Sequence, residues 1–258
     1  MEGERDRTFA ASSPQLRWAL AAALVALLVG CLIPAGALSA KKAPERWRVG
    51  WATAIDDLSA DSVWRAHPTV PGTPTEPATT YRFVVLPTIA GARLKLRLSN
   101  VRNGRDLLAG TQPVTFGAVR VGVRARGAGV RRGTNRRVTF RGKRSLTLGP
   151  GGVAVSDPVK LRVKRLRALV VSLYAPVSTQ PPMHAQTFAT QFRTPGGAGN
   201  HAGDRGGGAF TLLQQPIYWF DGLFVRSRAR RAIVAIGDSI VDGDQPNGPG
   251  APLDNSDD

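Results

Sequence analysis

The sequence predicts a mainly β chain: an antiparallel β-sandwich over residues 47–228, followed by a strand-and-turn segment that opens a different domain. Three observations carry this. Leu94, Leu96 and Leu98 alternate strictly with Arg93, Lys95 and Arg97, and Val119, Val121 and Val123 alternate with Arg120, Gly122 and Arg124. A period of two with one apolar face marks half-buried strands, apolar side in and basic side out. Such stretches recur at the spacing of roughly 8–12 residues, with Gly-rich turns, that an antiparallel sandwich shows. No long helical periodicity occurs between residues 47 and 228.

Taken in order, residues 1–17 are polar and of mixed charge. Trp18 to Ile33 is an apolar run of 16 residues, closed by Pro34. A bilayer span needs about 20 such residues. The run suits the apolar region of a signal peptide: Arg17 precedes it, and the small-residue patterns Ala35-Gly-Ala37 and Ala37-Leu-Ser39 follow. Leu28-Val-Gly-Cys31 also has the form of a bacterial lipobox. Cleaved secretion within residues 18–40, an uncleaved membrane anchor at residues 18–33, and lipidation at Cys31 all remain open. Each exports the chain from residue 41 onward. With one cysteine, the chain forms no internal disulfide and offers no thiolate cluster to a metal.

Residues 41–46 form a linker, and Trp47 to Ala54 begins the folded part. Residues 65–79 are rich in Pro and Thr and read as a loop. Tyr81, Phe83 and Val85, alternating with Arg82 and Val84, give the next strand. After the alternating Leu and Val strands come short ones at Arg137–Phe140 and Ser145–Leu148, a turn at Gly149-Pro-Gly-Gly152, and strands at Val159–Val163 and Ala168–Tyr174. Residues 194–208 are glycine-rich and read as a loop with no core of its own. Ile217-Tyr-Trp-Phe220 and Leu223–Val225 give the last strands, and Arg226-Ser-Arg-Ala-Arg-Arg231 is a basic connector.

The formal charge is +17, from 35 Lys+Arg against 18 Asp+Glu. Such an excess suits contact with polyanions: nucleic acid, anionic lipid or anionic cell-envelope polymers. Much of it falls on the outward faces of alternating strands, where it is also an ordinary solvated surface. No recognition helix, zinc pattern or aromatic RNA platform is visible, so nucleic acid is not an expected partner.

The chemistry sits almost at the end. Five apolar residues, Ala232 to Ile236, run into Gly237-Asp-Ser239. A short apolar run without alternation reads as a strand buried on both faces. Gly237 permits a sharp turn, and Asp238 and Ser239 are residues that open helices. Ser239 would then stand on a strand-to-helix turn with its hydroxyl exposed and its N–H free for a developing oxyanion.

Gly237-Asp-Ser-Ile-Val-Asp-Gly243 resembles the first sequence block of the SGNH (GDSL) hydrolases, with Val241 where threonine is usual. Trp51-Ala-Thr-Ala54, Arg97-Leu-Ser-Asn100, Val138-Thr-Phe140, Ser156-Asp-Pro158, Leu169-Val-Val-Ser-Leu173 and His184 with the Gly-rich loop after it resemble the β-domain that precedes the catalytic domain in secreted actinobacterial members. The resemblance implies a jelly-roll-like sandwich and then only the first strand of a flavodoxin-like α/β/α SGNH domain, at residues 229–243. It implies an ester substrate, either a lipid or an acylated carbohydrate, and no cofactor or metal. Ser239 would be the nucleophile and an oxyanion donor, Asp238 would shape the turn, and Gly237 would serve its backbone. The family's base comes from a later Asp-x-x-His block, and no Asp-x-x-His occurs in these 258 residues. Residues 244–258 are polar and rich in Pro and Gly and read as disordered.

The other histidines, His67, His184 and His201, all precede Ser239, and nothing in the sequence fixes one beside it. Asp56-Asp57 reads as a solvated loop pair, and Asn100 and Asp157 as turn residues. A serine without a base is a poor nucleophile. The expectation for this chain is therefore an ester-hydrolase ancestry without efficient turnover. The alternative is a non-catalytic β-sandwich that binds envelope polymers or polysaccharide through its basic face.

Overall fold

The computed structural model describes residues 43–55, 75–101, 112–184, 191–214 and 216–230. The chain divides into two units, Met1–Ala43 and Pro44–Asp258, and the described residues after Ala43 belong to the second. They form strands throughout, with no helix among the described residues. In chain order these are β1 (Arg46–Ala52), β2 (Thr79–Val85), β3 (Gly91–Ser99), β4 (Val114–Phe116), β5 (Ala118–Val123), β6 (Arg136–Arg137), β7 (Leu146–Leu148), β8 (Val153–Val155), β9 (Val159–Val163), β10 (Leu169–Ala175), β11 (Met183–His184), β12 (Gln191–Arg193), β13 (Thr211–Gln214), β14 (Ile217–Tyr218) and β15 (Phe220–Ser227). Every pairing is antiparallel. Mainly β, antiparallel architecture is thus as the alternation predicted.

A five-stranded sheet runs β1-β15-β3-β8, with β9 also paired to β3. A six-stranded sheet runs β13-β12-β2-β10-β5-β6, and two further pairs are β11-β14 and β4-β7. Leu94, Leu96 and Leu98 of β3 are fully buried while Arg93, Lys95 and Arg97 take the other face, as period two requires. The same apolar cluster holds Tyr81, Phe83 and Val85 of β2, Leu169, Val171 and Leu173 of β10, and Leu223 and Val225 of β15. Side chains of both large sheets therefore meet in one core. Each fully buried Leu, Val or Phe contributes about 1.5–3 kcal/mol.

Three expectations need correction. The face of β2 that carries Arg82 is not exposed: all seven residues of the strand are buried. A second apolar cluster, Val84, Ala128, Val130, Val170 and Phe192, lies on that face, with Phe210 packed against it. The Gly-rich stretch is the cover, not a coreless loop. Its backbone is tied to the start of β2, with Gly199 N donating to Ala78 O at 2.8 Å and His201 N to Thr80 Oγ1 at 3.0 Å. Finally, Ile217–Phe220 is not one strand. It breaks at Trp219, whose φ of +55° separates β14 from β15. The break turns a fully buried indole into an aromatic cluster, 5.4 Å from Phe116, 5.7 Å from Tyr81 and 5.6 Å from Tyr218 between ring centroids.

Among the described residues no helix is long and apolar enough to cross a membrane. The run Trp18–Ile33 lies outside them.

Candidate functional site

Gly237, Asp238 and Ser239 lie outside the described residues, as do His67, Asp56, Asp57 and Cys31. What the fold does fix is the strand that precedes Gly237 in the sequence. β15 lies between β1 and β3 in the five-stranded sheet, and its last residue, Ser227, is followed by the basic connector. The backbone pairing of β15 with two neighbours fixes where that connector starts.

His201 lies in the Gly-rich cover. Its Nδ1 is 2.7 Å from Asp204 Oδ2, and its Nε2 is 3.1 Å from Ala198 O. Both ring nitrogens thus face acceptors within the loop itself. Directly beneath, Arg82 is fully buried and uses all five of its N–H donors. Its Nε donates to Ser172 Oγ at 3.2 Å, and Nη1 to Ala128 O at 2.6 Å and Gly206 O at 2.9 Å. Nη2 donates to His201 O at 3.2 Å and to Asp204 O. The ring of Phe210 lies 3.9 Å from the guanidinium carbon. Burial pulls the Arg82 pKa down to about 10, partly countered by Asp204, so it stays charged at neutral pH. With every donor engaged, this assembly clamps the loop to the sheet and has no N–H left for a substrate.

The remaining sequence candidates fall on separate structural tasks. His184 pairs with Ile217 in the small β11-β14 sheet. Asn100 is buried, and its Nδ2 donates to Gln112 O at 3.0 Å and Gly149 O at 3.1 Å, tying the end of β3 to the residues just before β4 and just after β7. Asp157 caps the Arg141-Gly142 turn, accepting from Gly142 N at 2.8 Å, Thr139 Oγ1 at 2.7 Å and Arg141 N at 3.2 Å. The Gly142 amide, and then the Thr139 hydroxyl, hold its carboxyl below the usual carboxylate range. Asp157 is a turn residue, as predicted. Among the described residues no group of His, Cys, Asp or Glu is arranged to hold a metal ion.

One carboxylate escaped the sequence reading. Asp221 sits at a register shift between β15 and β3, with Oδ2 2.5 Å from Arg97 Nη1 and Oδ1 buried without a partner. Burial pushes its pKa up against the pull of Arg97. No sequence signal marks it, because the register shift at which it sits belongs to the pairing.

A groove of about 590 Å³ opens at the end of the domain where β15 finishes. Arg162, Arg165, Arg226 and Arg228 line it, with Glu45 as the one carboxylate among its lining residues. Glu45 lies 3.7 Å from Arg226 Nε and 3.2 Å from Arg228 Nη1. The groove is thus cationic and suits an anionic group. No protein-family model and no curated protein matches this chain.

Proposed function

We propose that this chain is an exported protein of the SGNH ester-hydrolase type, with a jelly-roll-like β-sandwich leading into the nucleophile turn at Ser239. The observation that carries the reading is the run Ala232–Ile236 into Gly237-Asp-Ser-Ile-Val-Asp-Gly243, which places Ser239 twelve residues beyond the last of the described strands, Phe220–Ser227. The quoted upstream pieces support it by where they fall. Trp51 and Ala52 end β1, Arg97-Leu-Ser99 ends β3, and Leu169–Leu173 opens β10.

In this reading Ser239 Oγ attacks the ester carbonyl carbon, the alcohol leaves, and water then releases the acid. The Ser239 N–H would steady the tetrahedral oxyanion. The serine proton needs a base, and the 258 residues hold no Asp-x-x-His to supply it. The substrate is a lipid or acylated-carbohydrate ester, and turnover by this polypeptide is expected to be very low. Hydrolysis of p-nitrophenyl acetate by the full chain and by Ser239→Ala tests this. Equal, near-background rates are expected, and turnover abolished by Ser239→Ala would overturn the expected inactivity. The family reading has its own test: an Asp-x-x-His block in any reading frame over the next few hundred codons supports it, and its absence counts against it.

A second reading, a non-catalytic binder of envelope polymers, is favoured by one observation. The outward face of the five-stranded sheet places Arg93 beside Lys160 in register, with Arg226 on the neighbouring strand. Like charges so arranged repel, and an anionic polymer would relieve them. Salt-sensitive retention on an acidic polysaccharide supports this reading, and no retention at low salt removes it.

A further inference from the structure

Two crossover loops meet at one end of the β-domain. Residues 86–90 carry the chain from β2 in the six-stranded sheet to β3 in the five-stranded sheet. Residues 164–168 carry it back, from β9 to β10. The Leu166 amide donates to Pro87 O at 2.8 Å, so the loop tips lie side by side. Both present leucine to solvent: Leu166 is 59% exposed and Leu86 42%.

Leu166 also has a φ of +54°. A branched apolar residue rarely adopts that left-handed conformation, and glycine would make the same turn without strain. A strained residue whose side chain points into water adds nothing to the core. Such an outlier directs attention to what the side chain meets outside the molecule.

Cations flank the paired tips in sequence. Lys164, Arg165 and Arg167 flank Leu166 in sequence, and the cationic groove begins at Thr88, two residues beyond Leu86. The chain enters at this end too, because Glu45, just before β1, lines the same groove. A soluble polyanion has use for the arginines but not for bare leucines. A bilayer surface has use for both, since apolar side chains enter the acyl boundary while guanidinium groups stay with headgroup phosphates.

We propose that the paired tips at residues 86–88 and 164–167 are a membrane-contact surface for an anionic bilayer. Leu86 and Leu166 enter the interface, and Arg165, Arg167 and the groove arginines take the lipid phosphates. The proposal is independent of Ser239 and of ester hydrolysis. Each cation near an anionic surface raises binding about fivefold, so binding should depend steeply on lipid charge.

The test uses the full chain with Cys31→Ser and an environment-sensitive fluorophore on Leu166→Cys. The vesicles are phosphatidylcholine alone or phosphatidylcholine with phosphatidylglycerol. We expect a blue shift at position 166 only on the anionic vesicles, lost in high salt and in Arg165→Gln/Arg167→Gln. The same fluorophore on Leu212→Cys, 65% exposed on β13, should not shift. Because the probe reads position 166 itself, attachment through residues 18–33 does not imitate the result. An unshifted probe on vesicles that carry the protein down overturns the proposal. So do equal shifts at 166 and 212, indifference to lipid charge, or the same shift with a soluble acidic polysaccharide. In a second arm, Leu166→Gly should leave the thermal midpoint unlowered while reducing the shift read from Leu86→Cys. A fall in the midpoint would make Leu166 a residue of the fold and overturn its assignment.

Discussion

Arg82 shows how much one side chain can organise. Its five N–H groups reach four backbone carbonyls and one hydroxyl, across sequence separations from 46 to 124 residues. Lysine, with three donors and no planar fork, cannot serve them all. Arg82→Lys should cost about 2 kcal/mol or more, since each buried carbonyl left unpaired costs 1–3 kcal/mol. The check is chemical denaturation together with limited proteolysis, where cleavage should move into residues 196–208. Asp157 gives the residue-scale pH prediction. Its folded pKa is depressed, so its contribution is present above the ordinary value near 3.9 and is lost as pH falls through the folded value. Asp157→Ala should cost about 1 kcal/mol at pH 7, because water partly replaces the lost acceptor. The gap from wild type should close below about pH 4, as read from thermal midpoints against pH.

At the scale of elements, the loop from β2 to β3 is fixed by a close approach. A Cβ on Gly91 would meet Arg226 O at 2.3 Å and Val225 Cγ1 at 2.6 Å. Backbone on backbone leaves no side chain to swing away. Gly91→Ala should therefore destabilise by about 1–3 kcal/mol, measured by urea denaturation, and should loosen the end of β15 where the cationic groove lies. The alternation of β3 was legible, because one residue in two faces a core and the other water. Strands β4, β8, β11, β12 and β13 were not, since two to four residues are too few for a period to show. The break at Trp219 was equally hidden, because an apolar run does not say where the backbone will turn.

For the whole molecule, the two large sheets differ in what covers their outer faces. The six-stranded sheet carries the Gly-rich cover, with Arg82 and a small apolar cluster sealed beneath it. The five-stranded sheet leaves Arg93, Lys160 and Arg226 outward, and the cationic groove opens at its end. Binding to any polyanion should accordingly weaken steeply as ionic strength rises, and the salt slope should flatten when Arg93 and Lys160 become Gln. Retention on an acidic resin at graded salt measures it. A clue to the asymmetry did exist, since Val84 shares the face of Arg82, which is therefore mixed rather than basic.

The sequence by itself determined the mainly β class, the buried face of β3 and the turn role of Asp157. These are local properties, written in spacing and in the stereochemistry of a few neighbours. The tertiary structure alone decided that Arg82 is buried, that the Gly-rich stretch is a lid on the sheet, and that Leu86 and Leu166 share one cationic tip. Each depends on partners tens of residues away, and a pattern of period two carries no information about which distant segment will cover a face.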